Sequence, residues 1–292
     1  MIYKEHLYKG RILSIDTFRG ITILTMIFVN EVAGVKNIPD WLKHVPGDAD
    51  AMTFVDVVFP AFLFIVGMSI PFSFNARLIK GDSNATIWKH TLMRFFALII
   101  MGLFMVNASY GYDLSEMLIS KSLWGLLAYS LPILVWNQYH KKIPSSIKWI
   151  LIGVGILGYL SLYFLYVQEG NGEIGITIKW WGILGLIGWA YLISVVGYWI
   201  TNGKLIRLFV LIGISILINT LNTAGFSEIR GLGWLSFVGG HFGHASITMA
   251  GLITSLLFFQ DNRPNIFPSN TYHDWVYEHH IKFGTSEQHL AE

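Results

Sequence analysis

Residues 53–74 read TFVDVVFPAFLFIVGMSIPFSF, an apolar run with a single ionisable side chain, Asp56. At ~1.5 Å of helical rise per residue the run is about 33 Å long, enough to cross the ~30 Å hydrocarbon core of a bilayer. The chain around it is of the same kind. Its 292 residues are 53% apolar and only 13% charged, with a mean hydropathy of +0.53, whereas a soluble domain carries about 25% charged residues. Charge this sparse cannot cover an aqueous surface of that size, which excludes a soluble Rossmann-type enzyme and a disordered chain. Seven more stretches have spanning character, at 17–35, 91–108, 123–136, 149–167, 180–200, 205–221 and 237–259. The expected fold class is therefore all-α, a polytopic integral membrane helical bundle of about eight transmembrane helices. Residues 1–259 form the membrane domain and 260–292 a polar C-terminal tail. The first span starts behind a polar lead with no small-residue cleavage site after it, so it reads as a retained span.

Cysteine is absent, which removes disulfides, thiolate metal sites and a cysteine nucleophile. A net charge of +2 does not suggest nucleic acid. The 20 Lys and Arg residues set the orientation. Those at the chain start, in 77–94, 141–148, 204–207 and the tail fall on one side, while Lys36, Lys43, Lys121, Lys179 and Arg230 fall on the other. Cytoplasmic loops retain positive charge, so both termini are expected in the cytoplasm. Trp41, Trp124, Trp136, Trp149, Trp180, Trp181 and Trp234 fall near the span ends and read as interfacial anchors. Gly153, Gly155 and Gly158, then Gly182, Gly185 and Gly188, mark faces for close helix packing.

Polar side chains inside spans are costly and mark functional candidates. In the first span, residues 11–35 read RILSIDTFRGITILTMIFVNEVAGV, with Asp16, Arg19, Asn30 and Glu31. The eleven-residue step from Arg19 to Asn30 is about 1100°, which leaves them ~20° apart on one face and ~16 Å apart along the axis. Asp16 precedes Arg19 by three residues and can pair with it. Arg19 taken alone reads first as an anchor at a helix end. In the second span Asp56 and Gly67 share a face, and Pro60 and Pro71 interrupt the hydrogen-bond ladder, as in a helix that lines a cavity or is simply kinked. Thr53 and Asp56 also fit a plain helix cap and first-turn acid. The intervening loop KNIPDWLKHVPGDADAM holds His44 among Asp40, Asp48 and Asp50, where carboxylates can fix the tautomer of a histidine that exchanges protons near neutral pH. His241 and His244 in GGHFGHAS lie on one face without an evident third ligand, so a cap or pore-mouth role outweighs metal. His273, His279 and His280 read as exposed tail residues.

The segment RILSIDTFRGITILTMIFVN at 11–30, the Lys43–His44 pair, TFVDVVFPAFLFIVGMSI at 53–70 and WWGILGLIGWAYL at 180–192 together resemble the heparan-alpha-glucosaminide N-acetyltransferase family, in its bacterial branch. The resemblance implies a polytopic enzyme of the bacterial inner (cytoplasmic) membrane. Such an enzyme moves an acetyl group from cytosolic acetyl-CoA to the amine of a glucosamine-type sugar on the outer side. By the same resemblance His44 matches the catalytic histidine of the outer loop, Asn30 the asparagine of a Val-Asn pair near the reaction, and Arg19 part of a DxFRG motif at the cytoplasmic end. Asp56 or Asp48 is then the group that orients His44, and Arg19 with Asp16 is the candidate CoA-binding pair. Asp48, Asp50, Glu31 and His244 are candidates on the acceptor side. The expected partners are acetyl-CoA as co-substrate, an amino-sugar or oligosaccharide acceptor and the lipid bilayer, with a homodimer allowed and no metal required. The family continues through further spans where this chain turns polar after Phe259, so the chain reads as a shortened member. Two alternatives remain open: a membrane O-acyltransferase of cell-surface polysaccharide, or a small-solute transporter built on the proline-broken second helix.

Overall fold

The computed structural model describes residues 12–259 except 33, 47, 48, 50, 110, 114, 116, 171, 179 and 226–232, with backbone alone for 233–238. The expected polar tail, with His273, His279 and His280, lies outside the described residues. Among the described residues there are eight α-helices: α1 Leu13–Val32, α2 Phe54–Ile79, α3 Asn84–Ser109, α4 Lys121–Trp136, α5 Ser145–Phe164, α6 Gly182–Ile200, α7 Leu205–Thr223 and α8 Gly233–Phe258. No strand forms among them; of two isolated antiparallel bridges, Tyr112 with Gln168 ties the α3–α4 connection to the α5–α6 connection, and Val167 with Ile174 closes a turn within the latter. Six helices, α1, α2, α3, α5, α6 and α7, are long and apolar enough to cross a membrane. The protein is a polytopic helical membrane protein.

Two helices run well past their apolar runs, because helix formation does not stop where hydrophobicity does. The third starts at Asn84, seven residues before the expected Thr91, and the second continues to Ile79. Pro60 and Pro71 lie within one unbroken α2. Each proline forfeits one ladder bond, to the carbonyl four residues earlier, while the bonds on either side persist. The expected interruption is therefore at most a local loss of two bonds.

α2, α3, α6 and α8 form the centre. α2 packs on α8, α3 on α6, and α6 on α8, with α1 flanking α2, α7 flanking α8, and the α4–α5 pair attached through α3. Contact between helix backbones sets the central crossing. A Cβ added at Gly67 would run into the Thr248 carbonyl, and one at Gly251 into the Phe64 carbonyl. Across the same seam the buried Ser255 hydroxyl donates to the Met68 carbonyl at 2.7 Å. In lipid, where apolar burial gives helices little reason to associate, such close packing with interhelical hydrogen bonds is what holds them together. Gly182, Gly185 and Gly188 perform the same task against α3, Gly155 against Val135 and Gly158 against Leu131 of α4, whereas Gly153 faces open space.

Trp124 is not an interfacial anchor. It is 1% exposed, stacked on Phe104 at 5.9 Å, and its indole N–H donates to the Leu162 carbonyl at 3.0 Å. The tryptophan at a span end is here the centre of the α3–α4–α5 core, since an indole with a carbonyl partner can be buried whole. Trp41 and Trp149 remain exposed, as anchors require.

Candidate active site

Residues 36–52 return the chain from α1 to α2, and short-range polar contacts shape that return. Asp40–Leu42 forms a single 3₁₀ turn, closed by Lys43, whose ammonium donates to Asp40 Oδ1 at 2.8 Å. That hydrogen bond, reinforced by the charge of Lys43, holds the Asp40 carboxyl below its ordinary pKa. Trp41 sets its ring edgewise to Phe54, the first residue of α2, at 6.2 Å. His44 is thereby brought over the α2 N-terminus, where its Nδ1 lies 2.7 Å from Asp56 Oδ1. The other carboxylate oxygen, Oδ2, accepts the Thr53 backbone N–H at 2.9 Å. Asp56 is thus both a first-turn acid that satisfies the helix start and the group that holds His44, so the two roles weighed from sequence coexist. An ionised carboxylate only accepts, so Nδ1 is the donor and the proton-free nitrogen is Nε2. The imidazole is 61% exposed and Asp56 22%: the histidine is reachable, and its partner is shielded.

Asn30 is exposed near the C-terminal end of α1. Its neighbour Val29 is buried with Val55 and Val58, the residues that flank Asp56. α1 and α2 therefore bring Asn30 to the same end of the bundle as the His44–Asp56 pair. Glu31 is exposed at that end. Asp48 and Asp50 lie outside the described residues.

At the other end of the stripe, Arg19 donates to Asp16 Oδ1 at 2.8 Å. The pair is half exposed, with 48% of the arginine side chain accessible, so it orients the guanidinium and adds at most about 1 kcal/mol of stability. Arg19 is also not at the edge of its neighbour. Ile15, one turn earlier, packs on Ile65 and Met68, and from that level α2 continues a further ~17 Å to Ile79. Arg19 opens instead onto a cavity of about 370 Å³ between α1, α2, α3 and α6, lined also by Phe62, Val66, Ser69, Ser73, Arg94 and Tyr191. Arg94 places its guanidinium 5.4 Å from the centre of the Tyr191 ring, an arrangement that steadies a cation without neutralising it. On α2 the lining runs from Phe62 to Phe74, about 18 Å of rise, and its Phe62 end is six residues, or ~9 Å, from Asp56.

Arg94 was missing from the candidates read in sequence, where it counted only toward orientation. The signal was present: Arg94 interrupts TLMRFFALIIMG within an expected span, and an intramembrane cation calls for a partner or a ligand. His241 and His244 are a correction of place. α8 starts at Gly233, so the pair lies two to three turns inside the helix and not at its mouth. His241 is buried and stacked on Trp189 at 5.2 Å, and His244 meets Phe59 edge-on at 5.6 Å. Among the described residues no group of three His, Asp or Glu side chains is placed to hold a metal.

A family model described as a domain of unknown function, DUF5009, matches residues 11–232. Among curated proteins, the human heparan-alpha-glucosaminide N-acetyltransferase is 39% identical over 101 residues, covering 34% of this chain and 14% of the human protein. Its mouse counterpart is 37% identical over 102 residues, covering 35% and 15%. The similarity thus spans about a seventh of those relatives' length. No solved structure matches the chain. With the model covering 11–232 and the His44–Asp56 pair inside it, this chain belongs to the DUF5009 family.

Proposed function

We propose that the protein is a transmembrane acetyltransferase that transfers the acetyl group of acetyl-CoA to the amine of a glucosamine-type sugar on the opposite side of the membrane. The observation that carries the reading is the 2.7 Å contact between His44 Nδ1 and Asp56 Oδ1 at the head of a helix whose flank lines a cavity with two arginines. The similarity to heparan-alpha-glucosaminide N-acetyltransferases supports the donor and acceptor chemistry.

Arg19 and Arg94 suit the phosphates of CoA, because a guanidinium binds phosphate oxygens in charge-assisted, two-point fashion. From there the pantetheine arm follows the cavity toward Phe62 and the His44 end, a path of the same order as the ~16 Å between Arg19 and Asn30. His44 Nε2 then removes a proton from the attacking amine, which forms the C–N bond to the thioester carbonyl. The resulting oxyanion takes a hydrogen bond from the Asn30 amide. The C–S bond breaks as it collapses, and the imidazolium returns its proton to the departing thiolate. Asp56 favours the imidazolium that forms between these steps. The same Nε2 also suits a two-step route through an acetyl-imidazole, which rapid-quench analysis would detect as acetylated His44. Excess cationic side chains at the Arg77–Arg94 end favour that end in the cytosol, where acetyl-CoA is found.

The test is turnover in proteoliposomes loaded with labelled acetyl-CoA and given a panel of hexosamines, with the products separated as amides and esters. An amide product supports the proposal. Ester alone would make the protein an O-acyltransferase, and neither binding nor turnover of acetyl-CoA would move it to the solute carriers.

A further inference from the structure

The His44 imidazole is 61% exposed, so packing does not hold its ring, and hydrogen bonds must. One bond is to Asp56 Oδ1 at 2.7 Å. A second connection is made through the backbone of the preceding residue: the Thr53 hydroxyl donates to the Lys43 carbonyl at 2.7 Å and lies 2.9 Å from Asp56 Oδ2. Lys43 carbonyl, Thr53 hydroxyl, Asp56 carboxylate and His44 imidazole thereby form a closed ring of contacts that fastens the middle of the loop to the start of α2.

A hydroxyl has one proton, and both its neighbours are acceptors when Asp56 is ionised. The two contacts share that proton, so the hydroxyl bridges the Lys43 carbonyl and the Asp56 carboxylate and ties the loop to α2. The hydroxyl also completes the capping box of α2, its oxygen facing the Asp56 backbone N–H. The other half of the box is the Asp56 side chain accepting from the Thr53 main chain at 2.9 Å, a bond that survives any substitution at 53 except proline. The hydroxyl of an ordinary N-cap serves its helix alone, and this one also reaches back ten residues to the loop.

We propose that Thr53 is a positioning residue for His44, its hydroxyl locking the histidine-bearing strand of the loop onto the carboxylate that sets the imidazole tautomer. The proposal rests on the reading of His44 as the acceptor-side base. Without the hydroxyl, Lys43 and His44 swing on the loop while the Asp40–Leu42 turn and the Trp41–Phe54 contact stay in place. The His44–Asp56 bond is then populated for only part of the time. A serine restores the hydroxyl and the tie; a valine keeps the shape and removes both.

The test compares T53V and T53S in nanodiscs. In substrate-free protein the ¹⁵N imidazole signals of His44, assigned by their loss in H44Q, report the tautomer directly. T53V is expected to move them from the Nδ1–H form toward a tautomer mixture and T53S to leave them in place. In turnover, T53V should lower kcat by about 10- to 100-fold, the scale of a catalytic group misplaced by ~1 Å, with the KM for acetyl-CoA unchanged, and T53S should stay within about twofold of wild type. Wild-type ¹⁵N signals in T53V overturn the proposal. If H44Q itself retains full turnover, the function reading fails, and the ¹⁵N comparison still decides whether Thr53 fixes the ring. A T53V protein that does not fold would also overturn it, because the hydroxyl would then be serving the fold and not the histidine.

Discussion

Asp56→Asn replaces one atom and breaks an arrangement in which both carboxylate oxygens are acceptors. Oδ1 serves the His44 imidazole at 2.7 Å and Oδ2 the Thr53 N–H at 2.9 Å. An asparagine has a single oxygen. If that oxygen keeps the Thr53 N–H, the amide NH₂ faces Nδ1 and selects the tautomer protonated on Nε2, which leaves the reacting nitrogen without its lone pair. If it keeps His44, two donors meet at Thr53. The first arrangement is favoured because the helix start otherwise buries an unmade bond, so the imidazole is inverted in most molecules. The same change in a serine-protease triad, where the carboxylate likewise fixes the histidine tautomer, lowers kcat by about 10⁴. With His44 more exposed and able to re-form the active tautomer through water, a fall of about 10²–10³ is expected here. Stability changes little: a hydrogen bond to a charged group contributes ~1.5–3 kcal/mol, and at this exposure about 1 kcal/mol survives solvent screening. The assay is acetyl transfer in proteoliposomes at saturating acetyl-CoA, with CoA affinity measured in parallel. Wild-type kcat in D56N would refute the reasoning, as would a loss traced wholly to weaker CoA binding.

Arg19→Ala and Arg94→Ala should each weaken acetyl-CoA binding by roughly 10- to 100-fold, the range of one charge-assisted hydrogen bond, in calorimetry on detergent-solubilised protein; unchanged affinity in both would remove the cavity from the donor site. Gly67→Ala should lower the thermal unfolding midpoint by several degrees, because the new methyl meets the Thr248 carbonyl backbone and overpacking of this kind costs at least about 1–3 kcal/mol. Gly153→Ala, which meets nothing within 4 Å, should raise that midpoint slightly, by about 0.5–1 kcal/mol of helix preference; equal effects at the two glycines would contradict the packing described for α2 and α8.

Hydropathy made the spans legible because each must carry its own apolar length whatever its neighbours do, and the eight helices fall where the eight runs lie. It did not locate their ends: α3 continues through the polar Asn84–His90 segment because a helix in water needs only caps and side-chain contacts. Which tryptophan anchors and which one is buried could not be read either, since the carbonyl of Leu162 that receives the Trp124 indole is 38 residues away in sequence. At the site, the Arg19–Asn30 face followed from helical periodicity alone, and His44 from its place in a carboxylate-rich loop. That Asp56 meets His44 depends on how a loop folds back over a helix start, which no periodicity encodes. Arg94 shows a different limit: a cation near a span end suits the cytoplasmic interface and a cavity wall equally, and its place in sequence does not separate the two.

The most direct measurement is the rate of labelled acetyl transfer to glucosamine by wild-type and His44→Ala protein in matched proteoliposomes, with acetyl-CoA binding verified in both. The account predicts that H44A binds acetyl-CoA as the wild type does and transfers acetyl groups at least about 10²-fold more slowly, the lower range for loss of a general base. Transfer by H44A at the wild-type rate would contradict it.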